Sequence, residues 1–115
     1  ILPRLTEKPK QAKHLKAVLQ IKALQSALEE FYMDRDRYPS TEEGLELLVK
    51  ERSPGGMTYL EGDAIPADPW KHPYLYISPG LQDRAYDIVS YGLDGKRGGS
   101  GWDRDVECWK VDNYS

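Results

Sequence analysis

The residues best suited to chemistry lie near the C-terminus, in Tyr91-Gly-Leu-Asp-Gly-Lys-Arg-Gly-Gly-Ser-Gly-Trp-Asp-Arg-Asp105. Five glycines and three aspartates share these fifteen residues, directly after an apolar, strand-like run. Asp94, Asp103 and Asp105 offer hard carboxylate oxygens, and Ser100 adds a hydroxyl. The interleaved glycines let the backbone turn its carbonyls inward. Calcium takes about 6–8 oxygens in a forgiving geometry, so this mixture suits it. Magnesium demands a stricter octahedron, and zinc prefers nitrogen or sulfur. The spacing differs from an EF-hand, which needs carboxylates at alternate positions and a closing glutamate. On composition alone the segment reads either as a calcium loop or as a plain solvated hairpin loop.

Little else in the chain offers chemistry. His14 and His72 stand too far apart in sequence to build a histidine metal site, and each is expected to be structural or solvent-exposed. Ser78 and Ser90 lack any nucleophile-elbow pattern. Cys108 is the only cysteine, so neither an internal disulfide nor a cysteine-based zinc site is available; it reads as a small hydrophobe. No enzyme is expected.

The elements that must position the loop are readable from periodicity. From about Gln11 to Arg35, Ala17, Ile21, Leu24, Leu28 and Phe31 form one continuous helical stripe, which Leu15, Val18 and Tyr32 widen. Leu15, Val18 and Leu19 spread apolar surface around more of the helix than one small domain covers, so this part is expected to face a partner. Ser40-Thr-Glu-Glu43 has the pattern of a capping box, followed by a short helix through Leu45, Leu47, Leu48 and Val49. The stretch 57–73 is irregular, punctuated by Pro66, Pro69 and Pro73, with Trp70 placed as a lid on the core. Tyr74–Ser78 and Ala85–Tyr91 read as an antiparallel hairpin turning at Pro79-Gly80, and Val106–Val111 as a third strand returning after the loop. The expectation is one α+β domain: a helical spine over about 8–36, a short helix over 40–50, the irregular segment, and a small antiparallel sheet over 74–111 that carries the loop 91–106.

The 115 residues suit one such domain with a modest core. Eight tyrosines against one phenylalanine place aromatic rings at a half-wet boundary, such as the face of a thin sheet. The net charge of −3 hides an asymmetry. Residues 1–25 hold Arg4, Lys8, Lys10, Lys13, Lys16 and Lys22 against Glu7 alone. Such a basic arm fits nucleic acid, anionic lipid headgroups or merely a solvated helix face. No apolar run approaches the roughly 18–20 residues that cross a bilayer. The opening Ile1-Leu2-Pro3 before basic residues is how a chain cut downstream of an apolar helix, or a processed N-terminus, would begin.

Several segments together resemble a known family. ILPRLTEKPKQAK before an amphipathic helix, then ALEEFYMDRDRYPSTEEGLELLV, IPADPW, YLYISPG and YDIVSYGLDG, occur in the order found in major pseudopilins of type II secretion systems. The resemblance covers nearly the whole chain and implies a type IV pilin-like fold, a long helix packed on an antiparallel sheet. It further implies that the apolar first half of the helix is missing, and that a prepilin peptidase cleaves the full-length precursor and methylates its new N-terminus. The protein would then be anchored in the inner membrane with this domain in the periplasm. There it would self-associate into a helical filament, the pseudopilus, with minor pseudopilins and inner-membrane secretion components, driving folded proteins across the outer membrane.

The family binds Ca2+ in its C-terminal loop. By that match Asp94 supplies the first side-chain ligand and Tyr91 a backbone carbonyl, while Asp103 and Asp105 form the second acidic cluster and Ser100 an extra ligand. Two departures stand out: Lys71-His72 follows DPW where glycine and a small polar residue are usual, and Val106-Glu-Cys-Trp replaces the commoner Ile-Gly-Asn-Trp. The alternatives are a type IV pilin or a minor or competence pseudopilin, and a periplasmic calcium-binding module with no filament role. A nucleic-acid binder built on the basic helix ranks behind these, and no nucleic acid is expected as partner.

Overall fold

The computed structural model describes residues 3–92 and 104–113, with side chains over 9–92 and 104–110. Helix α1 (Pro3–Arg35) runs for 33 residues and starts ahead of the point where its periodicity becomes legible, carrying Pro9 inside. His14, Ala17, Ile21, Leu24, Leu28 and Phe31 are all buried, at the three- and four-residue spacing that keeps side chains on one face. Burying a Leu, Ile or Phe side chain contributes about 1.5–3 kcal/mol each, so this stripe dominates the stability of the domain. Of the three residues expected to face a partner, Val18 belongs instead to the core at 6% exposure. Leu15 and Leu19 remain outside it, 38% and 66% exposed. Among the described residues no helix is long and apolar enough to cross a membrane.

The end of α1 is fastened twice. Asp36 adopts φ 58 and donates its amide to the Tyr32 carbonyl at 2.7 Å, the left-handed closure typical of a helix terminus. Arg35 lies over the Phe31 ring and donates to the Arg52 carbonyl at 3.0 Å, tying the helix to the loop around Tyr59.

The capping box forms as its sequence predicts. Glu43 donates its amide to Ser40 Oγ at 3.1 Å, and the Ser40 amide donates to the Glu43 carboxylate at 2.9 Å. It caps a single turn, however, rather than a helix over 40–50. Gly44 follows at φ +71, a conformation that breaks helical propagation, and regular structure resumes only as α2 (Leu47–Lys50). Arg37 grips the same Glu43 with both guanidinium nitrogens, at 2.7 and 3.1 Å.

Three antiparallel strands follow in the order β1 (Leu75–Ile77), β2 (Asp87–Ser90), β3 (Val106–Glu107). Tyr76 pairs with Ile88 and Ser90 with Val106, and these four point into the core. The expected third strand through Val111 stops early. After Glu107 the chain turns into a 3-10 helix (Cys108–Asn113). Gln25 of α1 donates to the Cys108 carbonyl at 3.3 Å, and Cys108 Sγ accepts the Ile88 amide at 3.3 Å. The backbone is thereby drawn onto α1 instead of extending the ladder. Trp70, at 7% exposure, joins the core as the sequence led one to expect, and so does Tyr59 from the loop.

The Arg37–Glu43 grip, together with the Ser40 amide, holds the Glu43 carboxyl at about 2 against an ordinary value of 4.5. A depressed carboxyl stabilises the fold above its ordinary range, and that contribution is lost as the pH falls from about 4.5 through about 2. NMR titration of Glu43 should therefore show a midpoint near 2, moving back toward 4.5 in Arg37→Gln while the Ser40 bonds keep it below that value. Both groups are half-exposed, so high salt should shrink the difference.

Candidate functional site

Strands β2 and β3 carry the two ends of the glycine-rich segment. Ser90 pairs with Val106 at the end of the ladder, and Tyr91 and Asp105 are the next residues beyond it on the two chains. Side-chain alternation puts Tyr91, Asp105 and Glu107 on the outer face of the sheet, while Ser90 and Val106 point inward. Tyr91 and Asp105 line one surface depression together with Leu75, Val89, Glu107 and Trp109. The structure thus brings together two of the five residues singled out as metal ligands. Asp94, Ser100 and Asp103 lie outside the described residues. Among the described residues, no group of three or more His, Cys, Asp or Glu side chains is placed to hold a metal ion. Of the two described members, Asp105 offers a carboxylate and Tyr91 a backbone carbonyl, oxygen donors of the kind a hard cation takes.

The outer face beside the mouth is braced by charge. Asp87 is almost fully buried and receives Arg84 Nε at 2.6 Å and the Leu81 amide at 3.0 Å. Burial pushes its carboxyl up, but these donors more than offset that, leaving it below its ordinary value. The Arg84 guanidinium also stacks 3.7 Å from the centre of the Trp109 ring. One cation thus links the hairpin loop, β2 and the C-terminal 3-10 helix. Burial pushes the Cys108 thiol up as well, so it stays protonated and packs as a small hydrophobe. His14 is fully buried on the α1 stripe, and His72 is half-buried in the loop before β1.

Beneath the mouth lies a buried polar chain that reading the sequence did not find. Asp68, 3% exposed, accepts the Trp70 amide at 3.0 Å and the His72 amide at 2.8 Å on Oδ1. Its Oδ2 accepts the Ser90 hydroxyl at 2.6 Å. Ser90 Oγ in turn accepts the Gly92 amide at 3.3 Å. The available signal was Asp68-Pro69, since an aspartate that folds its carboxylate onto amides downstream is a turn-former. Reading Trp70 as a lid and Ser90 as a failed nucleophile hid it. Lys71, where glycine is usual in the resembling sequences, sits at φ 69 within this turn.

A single long helix laid on a three-stranded antiparallel meander defines a pilin-like subunit. Residues 4–109 match the family described as Type II secretion system (T2SS), protein G. The type II secretion system core protein G of Pseudomonas aeruginosa is 39% identical over 116 residues, covering 95% of this chain and 80% of that protein. That of Vibrio cholerae is 37% identical over 118 residues, covering 99% and 80%. The fold superimposes on the crystal structure of the major pseudopilin from the type 2 secretion system of enterohaemorrhagic Escherichia coli with a TM-score of 0.71. That match has 30% sequence identity and covers 96% of this chain and 97% of the other. The chain belongs to the type II secretion system core protein G family, the major pseudopilins.

Gly92 occupies φ 73 at the loop mouth, where most side chains would cost about 1–2 kcal/mol. Gly92→Ala should lower unfolding stability by about that amount in urea titration, in chelator as well as in calcium, with Gly92→Asn milder.

Proposed function

We propose that this chain is the principal building subunit of a type II secretion pseudopilus, polymerising in the periplasm to drive folded proteins across the outer membrane. In this reading an apolar helical half preceding Ile1 anchors it in the inner membrane after prepilin peptidase cleavage and methylation. Minor pseudopilins and inner-membrane secretion components are its partners. The family match along the whole fold supports this, and one observation carries the assembly step. On the side of α1 turned from its own sheet, Leu15 and Leu19 stay exposed beside the exposed Lys16 and Lys22. A helix that covers one face with its own domain and keeps apolar and cationic groups on another is suited to docking against an acidic neighbouring copy. Reversing charge there, with Lys16→Glu in the full-length protein, should impair filament formation and secretion while the isolated domain keeps its melting temperature. Normal filaments from Lys16→Glu and from Leu19→Ser would count against this face.

The same proposal assigns calcium to the glycine-rich segment, held by Asp94, Asp105 and the Tyr91 carbonyl, with Asp103 and Ser100 contributing. Carboxylates gathered without a cation repel, and glycines have much entropy to lose on ordering. A cation removes the repulsion and ties the end of β2 to the start of β3. Binding only to the folded state would add about 2.7 kcal/mol at a hundredfold excess over Kd. The melting temperature should then rise by roughly 10 °C or more in calcium relative to chelator. Asp94→Ala should abolish the rise, and Asp105→Ala should nearly do so. An identical wild-type melt in both conditions would end the calcium reading.

A further inference from the structure

We propose that Asp68 and Ser90 are positioning residues for the calcium loop, aiming the Tyr91 carbonyl outward through the amide of Gly92. The inference rests on the calcium reading above. It starts from the planarity of the peptide bond. The Gly92 N–H and the Tyr91 C=O belong to one trans peptide unit and point in opposite directions. The Gly92 amide is turned inward, onto Ser90 Oγ at 3.3 Å. The Tyr91 carbonyl is therefore held outward, away from the core.

Ser90 cannot drift, because its hydroxyl is fully buried and donates to Asp68 Oδ2 at 2.6 Å. Asp68 is fixed in turn by the Trp70 and His72 amides on its other oxygen, and by its own amide donating to the His72 carbonyl at 2.8 Å. A charged acceptor at the foot of the chain makes the Ser90 hydroxyl oxygen a better acceptor for Gly92, since hydrogen bonds in series polarise one another. The turn 68–72 thus reaches across the core and sets one ligand direction at the end of β2. Preorganising a carbonyl before the cation arrives lowers the ordering cost of binding, so loss of the chain should appear in calcium affinity.

The test is calcium titration by calorimetry on four forms of the chain: wild type, Ser90→Ala, Asp68→Asn and Ile88→Val. Ser90→Ala removes both bonds of the chain but leaves Asp68 on its two amides. Its Kd for calcium should rise by at least about tenfold, the equivalent of one well-made buried hydrogen bond. Asp68→Asn still accepts the two amides but must present an NH2 group to Ser90, so its loss should be smaller. Ile88→Val trims the neighbouring core without touching the chain, and its affinity should match wild type. Amide exchange at Gly92, followed by NMR in calcium, should quicken in Ser90→Ala and stay slow in Ile88→Val.

A Ser90→Ala Kd within twofold of wild type would overturn the proposal. So would an Ile88→Val loss as large as that of Ser90→Ala, which would make the effect one of general destabilisation. A wild-type chain that takes up no calcium is a different failure: it overturns the calcium reading itself, and the positioning role with it.

Discussion

The rest of the fold is arranged around a mismatch of lengths. The buried stripe of α1 from Ala17 to Phe31 extends about 21 Å along the helix axis. The strands that face it have three, four and two residues, so none spans more than about 14 Å. A sheet this small cannot roof that stripe. The remainder is covered by chain with almost no regular structure: Leu45 and Leu48 around α2, Tyr59 from the following loop, and Trp70 and Tyr74 before β1. Irregular backbone must satisfy its own polar groups without a ladder, and that requirement governs which residues can do the covering.

Tyrosine meets it. Tyr59, Tyr74 and Tyr76 are each less than a tenth exposed, yet every hydroxyl reaches a polar partner. Tyr59 donates to Asp34 at 2.9 Å, Tyr76 to the Pro39 carbonyl at 2.7 Å, and Tyr74 to the Gln20 side chain. Each ring supplies apolar burial while its far end fastens a loop to α1 or to its exit. Burial pushes the Tyr74, Tyr76 and Tyr86 hydroxyls well above their ordinary value, so they remain neutral donors. At the edge of this layer Tyr32, Tyr38 and Tyr86 touch in sequence, the first pair tilted and the second edge to face, with centroids 4.7 and 5.0 Å apart. The excess of tyrosine over phenylalanine follows from a core roofed largely by loops.

The same reliance on distant contacts separates what the sequence revealed from what it concealed. Period-based signals survive because each is set by neighbours in the chain: the α1 stripe, the Ser40–Glu43 box and the pairing of β1 with β2 were all legible. Boundaries failed where a distant group competes for the backbone. β3 ends at Glu107 because Gln25, 83 residues away, takes the Cys108 carbonyl. α2 shrank because Gly44 reverses the chain, and glycine in a helical pattern does not announce its φ. Val18 looked surplus because what the folded chain lays over α1 is invisible in one dimension. At the candidate site, the residue types of the loop were conspicuous, and the structure adds that Tyr91 and Asp105 share its mouth. Asp68 and Ser90 were not conspicuous, since their significance lies only in a contact across 22 positions of chain.

The division of surfaces on α1 gives the architecture its logic. Ile21, Leu24, Leu28 and Phe31 commit one face to the subunit's own roof, which leaves Leu15 and Leu19 beyond the sheet's reach. Neither belongs to the core cluster, so the domain gains less from them than from the buried stripe. Keeping Leu19 two-thirds exposed on a helix otherwise rich in lysine and glutamine carries a solubility cost with no intramolecular return. Burial between copies would supply the return, and it would do so along the helix, the one element long enough to reach past its own domain. A spine shared between fold and assembly, as proposed, would let irregular segments suffice elsewhere. The loops need only cap a helix whose position a filament would already hold.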